Sequence, residues 1–118
     1  MYFRFRKFPI YKELRLFIKD IYKIVNTLPD NEKYALASQL KRAATSILLN
    51  LAEGSMRGSD PEFHRFLLIS IASLGEVVAI LDICLDNNYI SPSIHEEFMV
   101  KCEGIEKQLF SFSKTLKR

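Results

Sequence analysis

Apolar and polar positions follow a helical period along most of the chain. In the first long segment the apolar residues recur at steps of three and four: Leu14, Phe17, Ile18, Ile21, Val25 and Leu28. The last segment shows the same steps: Ile94, Phe98, Cys102, Ile105, Leu109, Phe112 and Leu116. Because positions three or four apart share one face of an α-helix, the pattern predicts amphipathic helices that pack around a common core.

Turn and capping residues divide the pattern into four segments. Pro9 suits the first turn of a helix, and Asp30 can cap a second one. The third segment begins with a capping box of Ser59 and Glu62, or with Asp60 as its cap. The last segment begins at Ser91-Pro92, with Ser93 and Glu96 as a second possible capping box. We predict helices over about 9–28, 31–57, 60–88 and 92–117. Since short loops join antiparallel neighbours, the predicted fold class is all-α, an up-down-up-down four-helix bundle that forms a single domain over residues 1–118.

The third segment is apolar nearly all round. Between Phe63 and Leu85 the only formal charges are Arg65, Glu76 and Asp82. A small bundle cannot cover such a helix from inside one chain, so we expect it to be buried against other subunits. A membrane span is not expected, because a charged side chain such as Glu76 costs roughly 2.5–3.5 kcal/mol at the bilayer centre.

One arc of the second helix is entirely polar. Folding the second and third helices back about Gly58 brings Arg42 level with Glu76. The same operation brings Glu53 level with Arg65 and predicts two ion pairs across the hairpin. It also places Ser46 opposite Ser70. We interpret these positions as a structural polar network that fixes helix register or makes a subunit contact, and the alternative is a polar groove for a ligand. The network comprises Gln39, Arg42, Ser46, Asn50, Glu53, Arg65, Ser73 and Glu76.

Charge is segregated along the chain, although the net charge is only +3. Residues 76–106 are mostly acidic, and residues 1–27 carry the candidate nucleic-acid contacts: Arg4, Arg6, Lys7, Lys12, Arg15, Lys19 and Lys23. Four of these cations repeat at helical steps on one face of the first helix, and three alternate with aromatic residues in the N-terminal arm. Cations pair with phosphates and aromatic rings stack on bases. The alternatives are a solvated helix face and an arm packed on a neighbouring subunit.

Other classes of function lack a sequence signal. The chain has no glycine-rich phosphate loop and none of the G-x-S-x-G or H-E-x-x-H motifs, so we expect no enzymatic activity. Cys84 and Cys102 are far apart and without metal-site spacing, and we predict neither a metal nor a cofactor. The start, MYFRFRKF, lacks the apolar region of a signal peptide, so a cytoplasmic location is expected.

A block across the second and third helices resembles a known family. Its residues are Gln39-Leu40, Arg42-Ala43-Ala44, Ser46-Ile47, Asn50-Leu51-Ala52-Glu53-Gly54, Glu62-Phe63, Arg65-Phe66-Leu67 and Ser73-Leu74-x-Glu76. In these the chain resembles the four-helix bundle proteins encoded in intervening sequences of bacterial 23S ribosomal RNA genes. It is similar, more distantly, to the accessory variability proteins of diversity-generating retroelements.

The resemblance implies a homopentamer, with five bundles in a ring around a channel and a basic surface that binds nucleic acid. For the ribosomal group no molecular activity is settled. The chain departs from the family pattern at Leu48 and Leu49, where Pro-Ser is common, and at Ile71, where a basic residue is frequent. It also has Val78 and Ile80 where polar residues are usual. These changes weaken a nucleic-acid role for the third helix and strengthen its burial against other subunits.

The leading hypothesis is therefore a non-enzymatic, homo-oligomeric helical bundle that binds RNA or DNA without base-specific contacts. The alternative is a structural or adaptor protein that acts through protein–protein contacts and has no nucleic-acid role.

Overall fold

The computed structural model describes residues 2–116, which form four long helices. These are α1 (Pro9–Val25), α2 (Leu36–Ser55), α3 (Asp60–Asp86) and α4 (Pro92–Lys114). Short 3-10 turns at Arg4–Lys7 and Asp30–Glu32 precede α1 and α2. Over the described range there is no strand, so the predicted all-α class is confirmed. The end predicted for the last helix, position 117, lies outside the described residues.

Two helices begin at their predicted residues, and each has a serine cap; in α4 the cap is Ser91 rather than Ser93. The Ser59 hydroxyl accepts a hydrogen bond from the backbone N–H of Glu62 at 3.3 Å, and the Ser91 hydroxyl accepts one from Ile94 at 3.1 Å. Each bond satisfies an N–H that has no partner within its helix. Proline in the first turn of both helices is compatible with this geometry because its missing N–H would be unpaired there.

The second helix begins later than the predicted residue 31. Residues Asp30–Glu32 form a 3-10 turn without a side-chain cap, and Ala35 has non-helical backbone angles (φ −122°, ψ −99°). The Tyr89 hydroxyl, just after α3, donates a hydrogen bond to the Glu32 carboxylate at 2.9 Å. This contact between distant parts of the chain ties Glu32 to the α3–α4 connection, and α2 starts only at Leu36.

The core draws fully buried aliphatic residues from every helix: Leu14, Ile21, Leu40, Ile47, Leu51, Leu67, Leu81, Ile105 and Leu109. At one end of the bundle three aromatic rings close this core. The Phe112 ring lies 5.1 Å from Phe8 and 5.2 Å from Phe63, both edge-on. Burial of such side chains contributes about 1.5–3 kcal/mol each, which makes the core the main source of stability.

A tight seam joins α2 and α3. A Cβ atom built on Gly54 would lie 2.6 Å from the Phe66 Cβ, so only glycine permits this approach. Further along, the Ser46 and Ser73 hydroxyls are 2.8 Å apart, and the Ser70 hydroxyl donates to the Ile47 carbonyl at 2.8 Å. Ser46 was predicted opposite Ser70, but its hydrogen-bond partner is Ser73, about one turn further along α3.

Candidate nucleic-acid interface

The cations of α1 occupy its outermost face. The buried residues of this helix are Ile10, Leu14, Phe17, Ile21 and Ile24, and the exposed cations are Lys12, Arg15, Lys19 and Lys23. At 100° per residue the two sets are centred about half a turn apart, which directs the cations away from the bundle. With a rise of about 1.5 Å per residue, they extend over roughly 16 Å of the helix.

Little opposite charge compensates this face. Lys12, Arg15 and Lys19 form no ion pair within residues 2–116. The Lys23 ammonium lies 4.0 Å from one oxygen of Asp20 and its side chain remains 73% exposed. The other oxygen of Asp20 contacts Lys101 on α4 at 3.1 Å. The outer face of α1 is therefore available to an external anion.

Two tyrosine rings and one further cation border this face. The Arg15 guanidinium lies 5.8 Å from the centre of the Tyr11 ring. The Lys41 ammonium, on α2, lies 5.9 Å from the centre of the Tyr22 ring. Lys41 was not among the predicted contacts, because its place beside α1 follows from helix packing rather than from its own segment. It extends the basic face from α1 onto α2.

The N-terminal arm adds cations at the start of α1. Arg6 and Lys7 are exposed, and neither forms an ion pair in the part of the chain that the structure describes. The Lys7 ammonium lies 5.6 Å from the centre of the Tyr2 ring. Phe5 packs edge-on against Tyr11 at 5.2 Å and fixes the arm to α1. The predicted contacts Arg6 and Lys7 therefore lie next to the start of α1, whose outer face carries the other cations.

Arg4 has a different position from the other predicted contacts. Its Nε and Nη2 atoms donate to the Ser55 carbonyl at 3.4 and 3.3 Å, and its guanidinium lies 5.4 Å from the Phe63 ring. Ser55 is the last residue of α2, where carbonyl groups lack helical partners and a cation is favourable. These contacts anchor the arm to the end of α2, while Arg4 remains exposed, so its role as a phosphate contact stays a prediction.

The cross-hairpin ion pairs predicted for the polar network are absent within residues 2–116. Glu53 instead contacts Arg57 at 3.4 Å. Arg65 contacts Glu62 at 3.1 Å, and this hydrogen bond lowers the pKa of the Glu62 carboxyl. Partners three or four residues away along the chain are closer than a residue across the seam. Arg42 reaches only the Ser38 hydroxyl, at 3.5 Å.

Three members of the network do come together. The Asn50 side-chain amide donates to the carbonyl and the hydroxyl of Ser46 at 2.8 and 2.9 Å, and Ser46 contacts Ser73. Gln39 and Glu76 are exposed and make no side-chain hydrogen bond to any described residue. The seam therefore holds a compact structural cluster of three residues, with the predicted charged members outside it.

A cleft of about 540 Å³ lies between α1 and the start of α4. Its apolar wall includes Ile24 and Phe98. Lys101 closes its charged rim by contacts to Asp20 at 3.1 Å and to Glu97 at 3.3 Å. Burial lowers the pKa of Lys101, but these carboxylates outweigh that effect and raise it. The rim charges are paired with each other, and the described residues contain no cluster that could hold a metal ion.

Comparison with known proteins gives a fold and a family. A crystal structure of a protein of unknown function from the S23 ribosomal protein family of Bacteroides thetaiotaomicron VPI-5482 has a TM-score of 0.82 at 24% identity. The similarity covers 89% of this chain and 98% of that chain, and at this identity it shows the fold alone. No protein with a curated description gives a significant match. The family profile described as 23S rRNA-intervening sequence protein matches residues 6–111, and the chain belongs to this family.

Proposed function

We propose that this chain is a non-enzymatic, homo-oligomeric protein of the cytoplasm that binds RNA or DNA through the outer face of α1, without base-specific contacts. The observation that carries the proposal is the row Lys12, Arg15 and Lys19, exposed and without ion pairs within residues 2–116. The family description refers to a sequence within 23S rRNA, which is compatible with a nucleic-acid ligand.

The spacing of the row favours contacts with phosphates. Steps of three or four residues on a helix place successive cations about 5 Å apart along its axis. A flexible single strand can follow such a row, and the Tyr11 and Tyr22 rings at its border can stack on bases of any sequence. Phosphate contacts determine affinity and position but do not read sequence. We therefore expect binding with little sequence preference.

We also propose the finer architecture that the sequence predicts, an antiparallel up-down-up-down bundle assembled into a ring-shaped homopentamer. The contacts of Ser46 with Ser73 and of Gly54 with Phe66 support antiparallel α2 and α3. The family resemblance is the basis for five subunits. In such a ring the α1 faces of several subunits would act together, and linked weak sites bind more tightly than one alone.

Salt-dependent binding tests the nucleic-acid proposal. A labelled single-stranded RNA is titrated with protein at several salt concentrations, and the affinity is followed by fluorescence anisotropy. Removing one phosphate contact changes the slope of log affinity against log salt by about 0.7 for a single strand. Replacing Arg15, Lys19 and Lys23 with glutamine should therefore weaken binding and make the slope shallower by about 2.

A matched control separates location from net charge. Replacing Lys33, Arg42 and Lys114 with glutamine removes the same number of charges at exposed positions outside α1 and the N-terminal arm. The control should keep the wild-type slope. Equal losses in both variants, or binding indifferent to salt, would contradict a site on α1. The second outcome, with the fold intact, would favour the adaptor alternative.

A further inference from the structure

The cleft between α1 and α4 adjoins the row of cations on α1. Lys23, the last cation of the row, also lines the cleft, together with Asp20 and Ile24 of the same helix. At 100° per residue, Asp20 and Ile24 are centred roughly a third of a turn from the cations. A strand that lies along the row therefore passes beside the cleft at Lys23.

The interior of the cleft is apolar. Its lining includes Ile24, Ile90 and Phe98, which are nearly buried, and Ile94, which is 41% exposed. The volume of about 540 Å³ lies within the roughly 300–1,000 Å³ of small-ligand sites. A flat ring the size of a nucleobase can enter between α1 and α4 and cover Ile94. Removing apolar surface from water is favourable, so the cleft can contribute to binding.

The charges around the cleft favour an uncharged group over a phosphate. Asp20 on α1 and Glu97 on α4 both contact the Lys101 ammonium, at 3.1 and 3.3 Å. A phosphate in the cleft would lie beside these two carboxylates, and like charges repel. The row on α1 has the opposite character, since most of its cations form no ion pair within residues 2–116. The two surfaces thus suit the two parts of a nucleotide, its base and its phosphate.

We propose that the cleft binds one base of the single strand whose phosphates lie on α1. The inference rests on the nucleic-acid part of the proposed function and adds a base site to it. The ring of the base packs against Ile94 and Phe98, and its polar edge stays at the solvated opening. Because Asp20, Glu97 and Lys101 pair with one another, the base is held by apolar contact, which accepts any base.

A base site and a phosphate site differ in their effect on binding. Packing one base of a single strand on protein side chains changes its affinity by about fivefold or more. Phosphate contacts, in contrast, set the dependence of affinity on salt. Loss of the cleft should therefore weaken binding and leave the salt slope unchanged, whereas loss of the cations on α1 makes the slope shallower.

Methyl NMR on isoleucine-labelled protein detects the base directly. The probes are a short single-stranded RNA and an abasic strand of the same length, which keeps the phosphates but lacks the bases. An aromatic ring close to a methyl group shifts its signal. The RNA should therefore shift the methyl signals of Ile90 and Ile94, and the abasic strand should leave them in place. Ile83 on α3 is 45% exposed and outside the cleft, and its signal should stay unshifted with both strands.

A pair of substitutions on α4 gives an independent measure. Ile94→Gln changes the cleft, and Val100→Gln changes a position of the same helix that is 59% exposed and outside the cleft. We expect Ile94→Gln to weaken RNA binding by about fivefold or more, with the wild-type salt slope and the wild-type affinity for the abasic strand. Val100→Gln should bind both strands like the wild type.

The two measurements separate this inference from the proposed function. If the wild type binds RNA while the signals of Ile90 and Ile94 stay in place, or shift equally with the abasic strand, the inference is overturned and binding on α1 remains. A wild type that binds no RNA overturns both. If Ile94→Gln does not fold, the NMR result on the wild type decides alone. Shifts caused by free adenosine, with an RNA affinity that Ile94→Gln leaves unchanged, would overturn the inference in favour of a small-molecule site.

Discussion

Gly54→Ala offers a direct test of the close approach between α2 and α3. A methyl group at this position would lie 2.6 Å from the Phe66 Cβ and 3.1 Å from the Phe63 Cδ1. The Phe66 Cβ is attached to the backbone and cannot turn away, so the helices must separate. Separation also stretches the hydrogen bond between Ser46 and Ser73 further along the seam.

The expected magnitude is the difference of two opposing effects. Overpacking a tight contact costs typically 1–3 kcal/mol, and the distance at Gly54 places it near the top of this range. Alanine in place of glycine inside a helix stabilises the helix by about 1 kcal/mol, which offsets part of this cost. The free energy of unfolding should therefore fall by about 2 kcal/mol, which lowers Tm by roughly 8 °C for a domain of this size.

Chemical denaturation monitored by circular dichroism measures the change in the free energy of unfolding. The subunit concentration is held fixed, because assembly adds to the apparent stability. Gly104→Ala on α4 is the matched control, since nothing lies within 4 Å of its new methyl group. The control should gain about 0.5–1 kcal/mol. If Gly54→Ala were as stable as the wild type while the control gained stability, the seam would not require glycine.

Two further predictions concern the arm and the thiols. Arg4→Gln removes the cation at the Ser55 carbonyl and should lower the free energy of unfolding in urea by about 1–2 kcal/mol. We expect the salt slope of RNA binding to stay unchanged, because the guanidinium is engaged at Ser55, whereas a shallower slope would support Arg4 as a phosphate contact. Burial raises the pKa of Cys84, and raises that of Cys102 to about 11, so both thiols should react slowly with Ellman's reagent at pH 8 until the protein unfolds. Because the folded pKa of Cys102 exceeds the ordinary value of 9.0, its contribution to stability is complete below about pH 9 and is lost as the pH rises through about 11; a stability that rises across this window would contradict a buried thiol.

The helices that have strong local signals were predictable from sequence. The capping serines Ser59 and Ser91 start α3 and α4 at the predicted places, because each bonds an N–H only three residues away. The start of α2 was not predictable in this way. The segment before it is held by the hydrogen bond between Tyr89 and Glu32, which are 57 positions apart and meet only in the folded bundle.

The residues of the candidate site also divide into those that one segment predicts and those that depend on other segments. The exposed stripe on α1 follows from the spacing of its cations and buried residues, which is a property of one segment. Counting residues from the turn predicts that Arg42 and Glu76 lie at the same height along the hairpin. It does not predict in which direction each side chain points around its helix axis. Arg4 and Lys41 depend on neighbours from other segments, Ser55 and Tyr22, that no local pattern identifies.

The segregation of charge between helices also affects the kinetics of encounter. Lys12, Arg15 and Lys19 point outward from α1, whereas exposed carboxylates such as Glu96 and Glu103 lie on α4. Charge is therefore uneven over the surface despite the small net charge. An approaching polyanion is attracted most strongly to the unpaired cations of α1, which favours collisions on that side. Added salt would weaken this guidance and slow association before any contact has formed.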